Sequence, residues 1–144
     1  FCSLLEKAAS TVLDSAIEKN IDLSFDLHPA HAICVEWMLF EATINLIDNA
    51  IRYTPSGGSI EVRCFTDDGR PSLEVIDSGP GIPEENQIQV FDRFYRLPGE
   101  TGNGCGLGLA IVQQICQLHA ATITLSNQKN GGLVARITFP VQQK

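Results

Sequence analysis

At 144 residues and 44% hydrophobic composition, with a mean hydropathy of +0.05, the chain is sized for one domain with its own core, and disorder is excluded. A net charge of −7 and a pI near 4.8 argue against a nucleic-acid binder, which is usually basic. A polyanionic ligand would have to be met by local donors and a metal ion, because the overall field opposes it. No apolar run approaches the roughly 20 residues that cross a bilayer. Phe1 to Leu5 lacks the basic lead-in of a secretory signal, and a start at Phe1 rather than Met suggests a fragment of something longer. The five cysteines, at 2, 34, 64, 105 and 116, are odd in number and never spaced Cys-x-x-Cys. They predict neither a disulfide framework nor a zinc site, but buried thiols in a reducing cytoplasm.

Leu4, Leu5, Ala8, Ala9, Val12, Leu13, Ala16 and Ile17 recur at helical spacing and predict an amphipathic helix. Ile21, Leu23, Phe25 and Leu27 alternate with Asp22, Ser24 and Asp26, a half-buried strand closed by His28-Pro29. A second helix is predicted from about Ile33 to Tyr53, stopping before Pro55-Ser56-Gly57-Gly58. Ile60, Val62 and Cys64 alternate with Glu61 and Arg63, and Asp67-Asp68-Gly69-Arg70-Pro71 turns the chain into a strand from Leu73 to Asp77, a hairpin. From Ser78 to Gly106 the periodicity fades, and so long an irregular stretch points to function. Leu107, Ile111, Ile115 and Leu118 mark a third helix, and strands near 122–126 and 132–139 join through Asn130-Gly131-Gly132. Alternating strands in hairpins, with helices that need burial, predict a two-layer α/β sandwich whose sheet has one covered face.

Four stretches carry chemistry. On the second helix, Leu39, Ala42, Leu46 and Ala50 form an apolar stripe, while Asn45, Asn49 and Arg52 share another face. Amide oxygens are hard ligands that suit Mg²⁺, a guanidinium can fork onto phosphate, and the ring of Tyr53 can lie on a flat base. Taken alone, this is also the pattern of an ordinary solvated polar face, the commoner case. Asp77-Ser78-Gly79-Pro80-Gly81-Ile82-Pro83 follows a strand; its glycines permit close approach, and the Asp77 carboxylate can accept the exocyclic amine of adenine. It reads equally as a Gly/Pro turn. Gly102-Asn103-Gly104-Cys105-Gly106-Leu107-Gly108-Leu109 opens a helix, where backbone N–H groups and the dipole favour phosphate, but no Gly-Lys-Ser/Thr of a Walker A loop follows. Phe91-Asp92-Arg93-Phe94-Tyr95-Arg96 in isolation reads as local core.

The order and spacing of these stretches resemble the catalytic and ATP-binding domain of bacterial sensor histidine kinases, relatives of the gyrase, Hsp90 and MutL ATPases. The four stretches stand for the N, G1, F and G2 boxes, and the likeness runs from about residue 4 to residue 140. It implies a sandwich of the Bergerat type, with a mixed, mostly antiparallel sheet, occupying residues 1–144 as one catalytic domain without dimerisation or sensor regions. By similarity, Asn49 ligates Mg²⁺ with help from Asn45, Arg52 contacts phosphate and Tyr53 stacks on adenine. Asp77 reads the amino group beside Gly79, Gly81 and Ile82. Residues 84–104 form a lid to which Phe91 belongs, and Gly102, Gly104, Gly106, Leu107 and Gly108 close on the phosphates. The reaction implied is transfer of the γ-phosphoryl group of ATP to a histidine, for relay to a response regulator.

Asn45 stands where the wider superfamily places a glutamate base for water, so slow hydrolysis is expected. His28, His31 and His119 lack the acceptor context, so the resemblance implies a phosphoacceptor on dimerisation helices outside this chain, in an inner-membrane sensor whose catalytic portion is cytoplasmic. A monomer with no nucleic-acid partner is expected. Ala120-Ala121 occupies a place where the family usually has Gly-Gly, which bears on the helix cap. An anti-sigma-type serine kinase, a stand-alone ATPase and a non-catalytic nucleotide-responsive module are the alternatives.

Overall fold

The computed structural model describes residues 2–32, 34–81, 108–128 and 131–141. Among these residues eight elements follow one another: α1 (Cys2–Glu18), β1 (Asp22–Leu27), α2 (Glu36–Tyr53), β2 (Ser59–Asp67), β3 (Arg70–Asp77), α3 (Gly108–Leu118), β4 (Thr122–Asn127) and β5 (Leu133–Thr138). The strands form one sheet in the order β1-β2-β3-β5-β4. β1 pairs with β2 in parallel, and the other pairings are antiparallel. The sheet is therefore mixed and mostly antiparallel, as expected.

The alternation seen in the sequence sets the two faces. Ile60, Val62 and Cys64 of β2, Leu73 and Val75 of β3, and Leu133, Ala135 and Ile137 of β5 are buried on the side that the helices cover. They join Leu5, Ala8, Val12 and Ala16 of α1, Leu39, Ala42, Leu46 and Ile47 of α2, and Leu109, Val112 and Cys116 of α3 in one core. The β2–β3 turn is short because Asp68 and Gly69 both take positive φ, +53° and +74°, which matches the twist of the flanking strands.

The opposite face is polar yet closed. One row crosses the sheet: Asp26 is paired with Arg63, Arg63 with Glu74, Glu74 with Arg136, and Arg136 with Thr124. Arg136 binds Glu74 through Nη2 at 2.6 Å, and Arg63 reaches Glu74 at 3.2 Å and Asp26 at 3.4 Å. Both guanidiniums lie 5.4 Å from the ring centre of Phe65. This cover leaves Glu74 only 2% exposed, and its carboxylate is paired on both sides, as burial of a charge requires.

The helices differ from expectation in three places. α2 begins at Glu36, not near Ile33, because Val35 is the extended N-cap. On α3, Ile111 and Leu118 are 38% and 70% exposed, and the buried stripe is Leu109, Val112 and Cys116 with Ala110 and Ile115. On α1, Leu13 and Ile17 point outward at 46% and 65% exposure. Among the thiols, Cys64 and Cys116 are buried as expected but Cys34 is half-exposed. Burial pushes the Cys116 thiol up to about 12.

Helix ends follow capping rules. After α1, Ile21 N–H bonds Ala16 O and Asn20 N–H bonds Ile17 O, with Asn20 at φ +59°. After α3, Ala121 N–H bonds Cys116 O at 2.8 Å and Ala120 N–H bonds Gln117 O, with Ala120 at φ +55°. This is the left-handed cap that glycine adopts without strain. The expected positive φ is therefore met by an alanine. Replacing Ala120 with glycine relieves the Cβ clash, and thermal unfolding of Ala120→Gly is expected to show a gain of about 1 kcal/mol.

Candidate active site

The polar residues of α2 stand as the helical spacing predicts. Leu39, Ala42, Leu46 and Ala50 are buried, while Asn45, Asn49, Arg52 and Tyr53 are half-buried on the remaining surface. Asn45 donates one of its two amide hydrogens through Nδ2 to Glu41 O at 3.0 Å, and this bond does not use Oδ1. That oxygen lies 3.5 Å from where a Cβ on Gly108 would sit. The start of α3 therefore faces the first asparagine of α2, at ordinary van der Waals distance.

The second meeting point is at the end of α2. Thr54 leaves the helix with φ −90° and ψ +126°, the extended conformation that a residue before proline favours. Gly79 packs on this exit so closely that a Cβ there would lie 2.8 Å from Tyr53 O and 3.2 Å from Asp77 Oδ1. Gly132, at φ +107°, lies against Asp77 O, and a side chain there would collide with it. Gly81, at φ +77°, abuts the Asn127 side chain. The glycines thus bring Tyr53, Asp77, Gly79 and Gly81 into one corner.

Asp77 is 6% exposed. Its Oδ1 accepts from Gly79 N–H at 3.0 Å and from Leu133 N–H at 3.2 Å, and neither bond uses Oδ2. Burial raises its pKa above the ordinary 3.8, although the Gly79 and Leu133 N–H groups pull it back. The carboxylate is thus oriented by backbone, with one oxygen left for a donor.

Three features of this region were not read from the sequence. Lys19, just past α1, donates through Nζ to Ile51 O at 2.7 Å and Arg52 O at 2.9 Å. It holds the last carbonyls of α2 and sits at the negative end of the helix dipole. Gly132 was read only as part of a turn. The Thr54 side chain is fully buried, and its Oγ1 has no hydrogen-bond partner among the described residues. Among these, only Lys19 carried a sequence signal, as a cation following a helix. Ile82, Phe91, Gly102, Gly104, Gly106 and Leu107, with the lid over 84–104 and Cys105, lie outside the described residues.

The donor set suits a hard cation held partly by a ligand's own oxygens. Among the described residues no group of three His, Cys, Asp or Glu side chains can hold a metal ion alone, whereas Asn45 presents a carbonyl oxygen beside the start of α3.

Residues 34–143 match the histidine kinase-, DNA gyrase B-, and HSP90-like ATPases. The chain belongs to this family. Sensor protein kinase PmrB of Pseudomonas aeruginosa is 38% identical over 143 residues, which cover 98% of this chain and 30% of PmrB. The chain spans 30% of the length of PmrB and of Sensor protein QseC of Escherichia coli. The nucleotide-free catalytic domain of histidine kinase ThkA superposes with a TM-score of 0.87 at 26% identity, over 98% of this chain and 92% of that one. ThkA in complex with response regulator protein TrrA superposes with a TM-score of 0.80 at 25% identity, over 99% of this chain and 40% of that one. The ATP-binding fold of histidine kinase catalytic domains is therefore the fold of this chain.

The corner makes two stability predictions. An unpartnered buried hydroxyl is unfavourable, so Thr54→Val is expected to raise stability by about 1 kcal/mol in denaturant titration. For Asp77 the folded pKa lies above the unfolded one, so the carboxyl favours folding when protonated and loses that advantage as pH rises through its folded value. Asp77→Asn keeps an oxygen for the two N–H groups and removes the buried charge. It is expected to melt higher than the parent at pH 7, with the gap closing as pH falls through the raised folded value and gone below 3.8, as followed by melting temperature against pH.

Proposed function

We propose that this chain binds Mg-ATP and delivers the γ-phosphoryl group to a histidine on the dimerisation helices of a longer sensor kinase, from which a response regulator takes it. In this reading residues 1–144 are the catalytic domain, working on the cytoplasmic side of an inner-membrane sensor, where ATP is available. The observation that carries it is Asp77, a buried carboxylate with Oδ1 fixed by two backbone N–H groups and Oδ2 left to accept an amine. Kinase relatives such as PmrB and the ThkA–TrrA complex support the reaction class and the partner.

The base is held between the Tyr53 ring and the wall of Gly79, Gly81 and Ile82, with Asp77 accepting the 6-amino hydrogens of adenine. Guanine carries a carbonyl there, which repels the carboxylate, so the site selects ATP over GTP. The phosphates run toward the start of α3. There Gly108, and with it Gly102, Gly104, Gly106 and Leu107, offers backbone N–H groups at the positive end of the helix. Arg52 takes phosphate oxygens from α2, and Phe91 anchors the lid. Asn49, aided by Asn45, would hold Mg²⁺, which supplies charge neutralisation for the transferring group.

Transfer then depends on alignment. The acceptor imidazole nitrogen forms a bond to the γ-phosphorus as the bond to the β-bridging oxygen breaks, and ADP leaves. Asn45 stands where the wider superfamily places a glutamate base for water. The Asn45 amide is tied to Glu41 O and cannot take a proton, so transfer to histidine outruns hydrolysis.

Calorimetry with ATP and GTP, with and without Mg²⁺, tests the reading. ATP is expected to bind at least tenfold more tightly than GTP. Asp77→Asn places an NH₂ against the adenine amine and is expected to weaken ATP by about tenfold, the loss of one charge-assisted hydrogen bond. Asn49→Ala is expected to remove the dependence on Mg²⁺. Equal affinity for both nucleotides, untouched by either substitution, would rule the site out.

A further inference from the structure

His119 closes α3 and uses both ring nitrogens. Nδ1 lies 2.8 Å from Ile115 O, one turn back on its own helix, and Nε2 accepts from Val35 N–H at 2.9 Å. Because a carbonyl cannot donate, Nδ1 carries the hydrogen and Nε2 the lone pair, and the tautomer follows from the partners. Val35 is the N-cap of α2 and makes no capping bond with its own side chain. In a capping box the N-cap N–H is taken by a glutamate or glutamine of the same helix. Here it is taken by a side chain from another helix. The ring also meets Phe139 edge-on, with centroids 6.2 Å apart.

α2 and α3 pack against each other and run in opposite directions, since the end of α3 meets Val35 and its start, Gly108, meets Asn45. The stretch from Gly108 to His119 and the stretch from Val35 to Asn45 are matched in length, each about 15–17 Å of helix. Apolar faces such as Leu109, Val112 and Cys116 against α2 tolerate sliding, because hydrophobic contact is not directional. A hydrogen bond from a ring nitrogen to one N–H is directional.

We infer that His119 is a positioning residue that sets the register of α3 along α2, and through it the distance between the Gly108 end of α3 and Asn45. The inference rests on the nucleotide reading above, in which the start of α3 and the polar face of α2 together contact the phosphates and Mg²⁺. His119 lies at the far end of α3 and acts through the helix, not by touching the nucleotide. Its effect falls on phosphate contacts and spares the adenine corner, which β3, Gly79 and the other end of α2 define.

Binding of ATP and of adenosine to the 144-residue chain separates these effects. His119→Phe keeps a ring against Phe139 and removes both hydrogen bonds. Val35→Pro removes the donor from the other side, at a φ of −82° that proline accepts. Both are expected to weaken Mg-ATP by about tenfold, as a small misplacement of binding groups does, while adenosine affinity stays within about twofold of the parent. His119→Gln carries a donor and an acceptor and is expected to restore most of the ATP affinity. If ATP and adenosine weaken together, His119 serves general stability and the inference fails. It also fails if Val35→Pro leaves ATP affinity unchanged, which decides the matter should His119→Phe not fold. In the same assay, an Asn49→Ala chain that binds Mg-ATP as the parent does would overturn the nucleotide reading itself, and the role of His119 with it.

Discussion

Main chain touching main chain is the constraint on which this molecule turns. Gly79 lies on the carbonyl of Tyr53, and Gly132 lies on the carbonyl of Asp77, at separations no side chain would allow. Through the first contact the end of β3 meets the end of α2. Through the second, β3 meets the entry to β5, where Leu133 N–H reaches the Asp77 carboxylate. The Asp77 carboxylate and the polar helix face are thereby fixed relative to each other by backbone. Preorganised groups of this kind need little rearrangement on binding.

Such a site carries a cost that the rest of the fold absorbs. A carboxylate 6% exposed and an unpartnered hydroxyl sit side by side in the corner, and each opposes folding. Around them the core is continuous from α1 through α2 to α3 and along β2, β3 and β5. Lys19 restrains the last carbonyls of α2. Among the described residues the corner is therefore the local exception to satisfied buried groups, which is where function is expected to sit.

Periodicity made the helices and strands readable, and it placed Asn45, Asn49 and Arg52 off the apolar stripe of α2, as they stand. The Asp68-Gly69 hairpin turn was equally legible, because its residue types demand that geometry. What failed was the face of α3. Ile111 and Leu118 look as apolar as Leu109 and Val112, and only packing against α2 and β4 decides which pair is covered. The roles of Lys19, Thr54 and His119 were out of reach for a similar reason. Their partners lie 32 or more residues away for Lys19 and 84 away for His119, and the Thr54 environment is built by the loops around it. The start of α2 was misplaced on the same account, since Val35 N–H is engaged from another helix.

The charged row on the polar side of the sheet has a bearing on how the chain finds its pairing. Arg63 faces Glu74, and Glu61 faces Ile76. If β2 and β3 slipped by one pleat during assembly, Glu61 would come to face Glu74 and Arg63 would be left opposite Ser72. Like charges across a ladder are unfavourable, and a slip of this size leaves the inward and outward faces unchanged, so hydrophobicity cannot reject it. The acid–base order written across the strands rejects it instead, proofreading an error to which the core is blind.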